Sequence, residues 1–164
     1  MEDLSLHILD IVENSIRAKA SRIEIKVVED IRKDLLTIEI KDNGQGIDEE
    51  TVKKVLDPFF TTRTTRRVGL GLPLLSQAAR ESGGDVEIES KVGRGTRIKA
   101  TFGYSHIDRK PLGNMKTTLT TLIAGNPEVD FIYEHKNGEL EYRLDTKEIR
   151  ARIMRELNGD NFNY

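Results

Sequence analysis

The chain has 164 residues, enough for one domain, or one with an appendage. Hydrophobic residues make up 37% and charged residues 33%, which suits a soluble globular protein with a real core, and a formal net charge of −2 gives no overall pull toward nucleic acid or an anionic membrane. With no cysteine there is no disulfide, thiolate metal site or cysteine nucleophile. No apolar run is long enough to span a bilayer, and the acidic start Met1-Glu2-Asp3 is unlike a signal peptide, so the cytoplasm is the expected compartment.

Leu4 to Ala20 reads as an amphipathic helix with Asp3 at its N-cap and Ile8, Leu9, Ile11, Val12 and Ile16 toward the core. His7, Asp10, Asn14 and Arg17 recur at three- and four-residue steps and share a polar stripe, with His7 at its boundary. A carboxylate, an amide oxygen and a guanidinium on successive turns suit a metal-phosphate platform: Asn14 for Mg²⁺, Arg17 for phosphate oxygens, Asp10 to polarise a water. A solvated helix face explains the same stripe.

Arg22 to Val28 and Leu35 to Lys41 alternate apolar and polar like half-buried strands, joined by a charged turn, Asp30 to Asp34. The second strand runs into Asp42-Asn43-Gly44-Gln45-Gly46. A carboxylate at a strand exit only accepts hydrogen bonds, and the two glycines allow positive φ and keep Cβ atoms away from a planar ligand. A flat heterocycle with an exocyclic amine, such as adenine, would suit that site; a tight Asn-Gly turn is the other reading. An EF-hand calcium loop fits poorly, because Gly44 stands where an oxygen ligand is needed and Ile47 where glycine is.

Asp48 is placed to cap a short helix, Glu49 to Leu56. Asp57-Pro58-Phe59-Phe60-Thr61-Thr62-Arg63 stops it, and the basic, aperiodic stretch Thr64 to Val68 follows. Gly69-Leu70-Gly71-Leu72 opens a helix that runs to about Ser82 and ends at Gly83-Gly84. Glycines at such a start expose amides that favour phosphate, although Pro73 alone also explains a helix start. Asp85 to Ser90 and Thr96 to Phe102 read as strands flanking Lys91-Val92-Gly93-Arg94-Gly95. The coarse order predicts an α/β fold with helices on one face of a mixed sheet.

Tyr104 to Pro111 marks a boundary. Beyond it the pattern predicts a helix over 112–124, strands over 129–135 and 140–144 around a Lys136-Asn137-Gly138-Glu139 turn, and a last helix, Thr146 to Leu157, capped by Asp145.

These stretches, in this order, resemble the motifs of the GHKL superfamily of gyrase-type, chaperone, histidine-kinase and mismatch-repair ATPases. Asp10 to Ala18 is similar to the N box, Asp42 to Ile47 to the first glycine box, Asp57 to Arg63 to the F box of histidine kinases, Gly69 to Leu72 to the second glycine box and Gly93 to Thr96 to the third. The resemblance covers Leu4 to Phe102. It implies the Bergerat ATP-binding fold, a two-layer α/β sandwich, over residues 1–103, with 104–164 as an extension packed on or paired with it.

Carried over residue by residue, the resemblance implies that Asp42 accepts from the adenine amine with Thr96 assisting through water, beside Gly44, Gly46 and Ile47. It implies that Asn14 binds Mg²⁺, Arg17 contacts phosphate, and Gly69, Leu70, Gly71 and Leu72 lie against the phosphates. It also implies that Phe60, Thr61, Thr62 and Arg63 belong to the nucleotide-binding set and that Thr62 to Val68 is the ATP lid. Asp10 stands where ATPase branches carry a general-base glutamate one methylene longer, and Arg67 where a further glycine is common. With the N box almost at the N-terminus, no room is left for a dimerising hairpin that carries a phosphoacceptor histidine. The expected function is therefore a stand-alone kinase-type catalytic domain acting in trans on a protein partner. An ATPase switch and a non-hydrolysing nucleotide sensor are the alternatives. ATP and Mg²⁺ are the expected ligands, and a homodimer is compatible with the last third.

Overall fold

The computed structural model describes residues 3–56 and 71–158. In chain order the elements are α1 (Leu4–Arg17), β1 (Arg22–Asp30), β2 (Leu35–Asp42), α2 (Glu49–Leu56), α3 (Gly71–Glu81), β3 (Val86–Lys91), β4 (Gly95–Gly103), α4 (Met115–Gly125), β5 (Asp130–Asn137), β6 (Leu140–Asp145) and α5 (Thr146–Asn158). The strands form one six-stranded mixed sheet in the order β3-β4-β2-β1-β5-β6. Neighbours are antiparallel except β1 and β5, which run parallel.

Period-two patterning fixes which face is covered. Ile23, Ile25 and Val27 of β1, Leu36, Ile38 and Ile40 of β2, and Ile98, Ala100 and Phe102 of β4 are all buried. The register aligns them across strands, with Ile25 opposite Ile40, Ile40 opposite Ile98 and Leu36 opposite Phe102. A slip of one residue would turn this set to solvent, so the alternation itself selects the register. Leu4, Ile8, Ile11 and Val12 of α1 and Leu72, Leu75, Ala78 and Ala79 of α3 join the same core, and α1 packs against α3 and α4. The opposite face carries charge: Arg97 Nε and Nη2 donate to the two oxygens of Glu39 at 3.1 and 3.2 Å. This is the α/β two-layer arrangement that the pattern predicts.

Three details differ from expectation. Helix α1 ends at Arg17 rather than Ala20, because Ala18 takes the C-cap and Lys19 turns to φ 65°. Asp3 occupies the N-cap without a side-chain cap bond. The amides of Leu4 and Ser5 instead donate to the carbonyls of Pro111 and Leu112, at 3.0 and 2.8 Å. The segment after β4 thus supplies the acceptors that a helix start needs. Helix α4 starts at Met115 rather than Leu112, because Asn114 caps it by accepting from Thr117 N at 3.0 Å. Asp48 and Asp145 cap α2 and α5 as expected, accepting from Thr51 N at 2.8 Å and Lys147 N at 2.9 Å.

Candidate nucleotide site

The end of β2 meets α1 at the mouth of a cavity of about 320 Å³. Asn14, Ser15, Arg17 and Ala18 of α1 form one wall. Asp42, Gly46, Ile47, Thr96, Ile98 and Leu72 of α3 also line it. A volume of this order suits a small ligand held by a few polar groups on an apolar lining.

Asp42 is anchored twice. Its Oδ2 accepts from Ser15 Oγ at 2.6 Å and its Oδ1 from Gly44 N at 2.8 Å. An ionised carboxylate has about four acceptor positions, so both oxygens are held in place and keep capacity for a further donor. Ser15 is 5% exposed; its bond spans 27 positions in sequence and exists because α1 lies across the end of β2. Thr96 stands opposite Asp42 in the β2–β4 pair, and its hydroxyl lies 2.8 Å from Ser90 Oγ.

The glycines serve a purpose that the sequence alone does not show. Gly46 has φ +76°, as expected, but a Cβ there would lie 2.1 Å from Lys91 O. Gly44 is not among the residues at positive φ, and its Cβ would meet Ala18 O at 2.8 Å. At both positions the chain passes close to other backbone, so neither has room for a side chain. Asn43, expected as a turn residue, works as a staple: its Oδ1 accepts from the amides of Ser21 and Arg22, each at 2.9 Å.

On α1, Asn14 and Arg17 face the cavity, and Arg17 Nη1 donates to Asn14 Oδ1 at 3.1 Å. Asp10 does not line this cavity among the described residues. It is partly exposed one turn earlier, where a Cβ on Gly71 would come within 2.7 Å of its own Cβ. Gly71 is therefore buried against α1 at the point where α3 begins. His7 is not on the exposed stripe, being 1% exposed. Asp48 adds a second carboxyl to the cavity wall, and hydrogen bonds from Thr51, the backbone amide first, hold it below the usual carboxylate range. Phe60, Thr61, Thr62, Arg63, Gly69 and Leu70, together with the lid stretch to Val68, lie outside the described residues.

The arrangement brings together Asn14, Arg17, Asp42, Gly46, Ile47, Leu72 and Thr96, which come from four separated stretches of chain. Sequence reasoning missed Ser15 and Ser90 as parts of the polar network around Asp42 and Thr96. Ser15 stands beside Asn14 in the sequence, but its bond to Asp42 and the pairing of Ser90 with Thr96 show only once it is known which strands and helices meet.

Comparison with known proteins agrees with this geometry. The family model for histidine kinase-, DNA gyrase B- and HSP90-like ATPases matches residues 2–106. The sensor histidine kinase YxdK of Bacillus subtilis is 32% identical over 106 residues, covering 60% of this chain and 32% of that kinase. The sensor protein kinase FleS of Pseudomonas aeruginosa is 40% identical over 89 residues, covering 54% of this chain and 22% of that kinase. The chain thus spans a third or less of the length of these relatives. In fold it is similar to the MutL ATPase domain of Aquifex aeolicus complexed with ADP, at a TM-score of 0.55 and 22% identity, covering 98% of this chain and 70% of that one. Coverage that wide extends the likeness in fold over β5 and β6. The N-terminal domain of a DNA repair protein gives a TM-score of 0.57 over 88% of this chain and 53% of that one, at 16% identity. With its family model matched over more than half of its length, and with Asp42 and Asn14 facing one cavity, this chain belongs to the histidine kinase-, DNA gyrase B- and HSP90-like ATPases and is a GHKL-type ATPase domain related to histidine-kinase catalytic domains.

Proposed function

We propose that this chain binds ATP with the adenine at the Asp42–Thr96 end of the cavity and the phosphates along α1, and that it passes the γ-phosphoryl group to a side chain of a partner protein. The observation that carries the proposal is the doubly anchored carboxylate of Asp42, held by Ser15 and Gly44 N and facing a cavity of ligand size. Such a group is preorganised to accept from an exocyclic amine.

Mg²⁺ fits the α1 side of the same cavity. Asn14 Oδ1 is a hard oxygen on the cavity wall, and Mg²⁺ commonly takes one or two protein oxygens together with substrate phosphates. When bound, the ion would neutralise charge on the β- and γ-phosphate oxygens. Arg17 would oppose charge on a phosphate oxygen with its guanidinium. The partner supplies the nucleophile: a bond forms from it to the γ-phosphorus as the bond to the β–γ bridging oxygen breaks, and ADP leaves. Kinship with catalytic regions of sensor histidine kinases supports transfer over simple binding.

The test is a pull-down of the full chain with and without γ-labelled ATP, read by mass spectrometry for partners and phosphosites. Label appearing on a captured protein, and absent with Asp42→Asn, is the expected result. Label on no protein, with turnover to free phosphate, would favour the second reading.

That second reading is an ATPase switch. Asp10 favours it, being a partly exposed carboxylate one helical turn from Asn14 and so able to take a proton from an attacking water. Asp10→Asn should then abolish slow hydrolysis with ATP binding intact; unchanged turnover removes Asp10 as the base.

A further inference from the structure

Ser90 stands on β3 directly opposite Thr96 of β4. Its oxygen lies 2.7 Å from Ile47 N, 3.0 Å from Gly95 O and 2.8 Å from Thr96 Oγ1. A hydroxyl has one proton and two lone pairs. The Ile47 amide can only donate and the Gly95 carbonyl can only accept. One arrangement makes all three contacts hydrogen bonds at once: Ser90 donates to Gly95 and accepts from both Ile47 and the Thr96 hydroxyl.

In that arrangement the Thr96 proton is engaged by Ser90, and Thr96 Oγ1 turns only lone pairs to the cavity it lines. Thr96 is 8% exposed, so no bulk water competes freely for that proton. Its neighbour across the β2–β4 pair is Asp42, whose carboxylate likewise only accepts. These two side chains therefore present acceptors and no donor. A ligand edge carrying an amino group meets its complement there, whereas a carbonyl oxygen in the same place faces lone pairs and loses its water without replacement.

We propose that Ser90 is a positioning residue for nucleobase selection: by holding the Thr96 hydroxyl proton away from the cavity, it makes this site prefer a 6-amino purine over a 6-oxo purine. The inference rests on the adenine assignment made above. The same hydroxyl ties Ile47 to β3, which links the first glycine stretch to the strand pair that carries Thr96.

The test is a set of titrations with ATP and with inosine triphosphate, whose base carries a 6-oxo group. The proteins are wild type, Ser90→Ala, Ser90→Thr, Thr96→Val, the double variant and Asp42→Asn. Wild type should favour ATP. Ser90→Ala should narrow the ratio of the two Kd values by about five- to tenfold, the worth of about one hydrogen bond, because the released Thr96 hydroxyl can then donate to the 6-oxo group. Ser90→Thr keeps a hydroxyl and should restore the wild-type ratio. In the Thr96→Val background, Ser90→Ala should move the ratio no further. If Ser90→Ala weakens both nucleotides by the same factor, or moves the ratio equally with and without Thr96, Ser90 is only a structural tie and the inference is overturned. The Asp42→Asn arm tells the two failures apart. A ratio unaffected by Asp42→Asn sinks the adenine assignment and this inference with it. A ratio that collapses with Asp42→Asn but survives Ser90→Ala sinks the role of Ser90 alone.

Discussion

Two glycines of the β3–β4 hairpin make a controlled comparison. Gly93 has φ +83° and Gly95 has φ +119°, so alanine is strained at both. At Gly93 an added Cβ meets nothing within 4 Å. At Gly95 it would lie 2.0 Å from Asp42 O and 2.9 Å from Asn43 Cα, which are backbone atoms that cannot rotate away. Gly93→Ala should cost about 1 kcal/mol, the left-handed penalty partly offset by reduced freedom of the unfolded chain. Gly95→Ala bears a larger conformational penalty of about 1–3 kcal/mol. It must also push β4 from β2 beside the Asp42–Thr96 pair, which endangers a ladder hydrogen bond worth about 1 kcal/mol. The sum is about 3 kcal/mol. For a domain of this size each kcal/mol moves Tm by about 2–4 °C, so the expected losses are about 3 °C for Gly93→Ala and about 10 °C for Gly95→Ala. Circular-dichroism melts measure both. A nucleotide titration at a temperature where both remain folded should show weakened ATP binding only for Gly95→Ala, because only there does the clash fall on Asp42. Equal Tm losses, or equal ATP affinities, would refute the claim that close backbone packing at Asp42 is what demands glycine.

Ser15→Ala removes a hydrogen bond to a charged acceptor, worth about 1.5–3 kcal/mol in total, part of which orients Asp42 for ligand. ATP Kd should rise about tenfold in a calorimetric titration, and an unchanged Kd would show that Gly44 N alone holds the carboxylate. In the middle of β5, Tyr133 is 4% exposed and burial, with Glu29 and Tyr142 adding to it, pushes its hydroxyl up to about 12. Because the folded value is raised, its contribution to stability is whole below the unfolded value of about 10 and is lost as pH climbs toward about 12, amounting to about 2–3 kcal/mol. The urea midpoint of wild type should therefore fall relative to that of Tyr133→Phe between pH 9 and above pH 11; a constant difference between them would contradict this.

Local grammar was legible. The alternation of Ile23, Ile25 and Val27 and of Leu36, Ile38 and Ile40 showed both strands and their buried face, because period two is a property of the strand itself. Asp48 and Asp145 declared their caps within three residues of the amides they bind. Asp42 and Thr96 were legible through glycine spacing and family order. Relations formed by packing at a distance were not. The pairing of Ser15 with Asp42, the Ser90 bridge and the closure of α1 by the Pro111 and Leu112 carbonyls all join residues far apart in the chain. The parallel pairing of β1 with β5 is of the same kind, since neither strand carries a local sign of its partner. The close backbone packing at Gly44 and Gly46 was not legible either, because the segments that cross near them, at Ala18 and Lys91, come from elsewhere in the fold.

On this reading one carboxylate, Asp42, reads the base of a nucleotide lying against α1. Calorimetric titration of ATP into wild type and into Asp42→Asn, with circular dichroism showing both folded, tests it most directly. Wild type should bind ATP measurably and Asp42→Asn about a hundredfold more weakly, since the substitution replaces one acceptor oxygen with a donor group facing the amine. Equal affinity in the two proteins would contradict it.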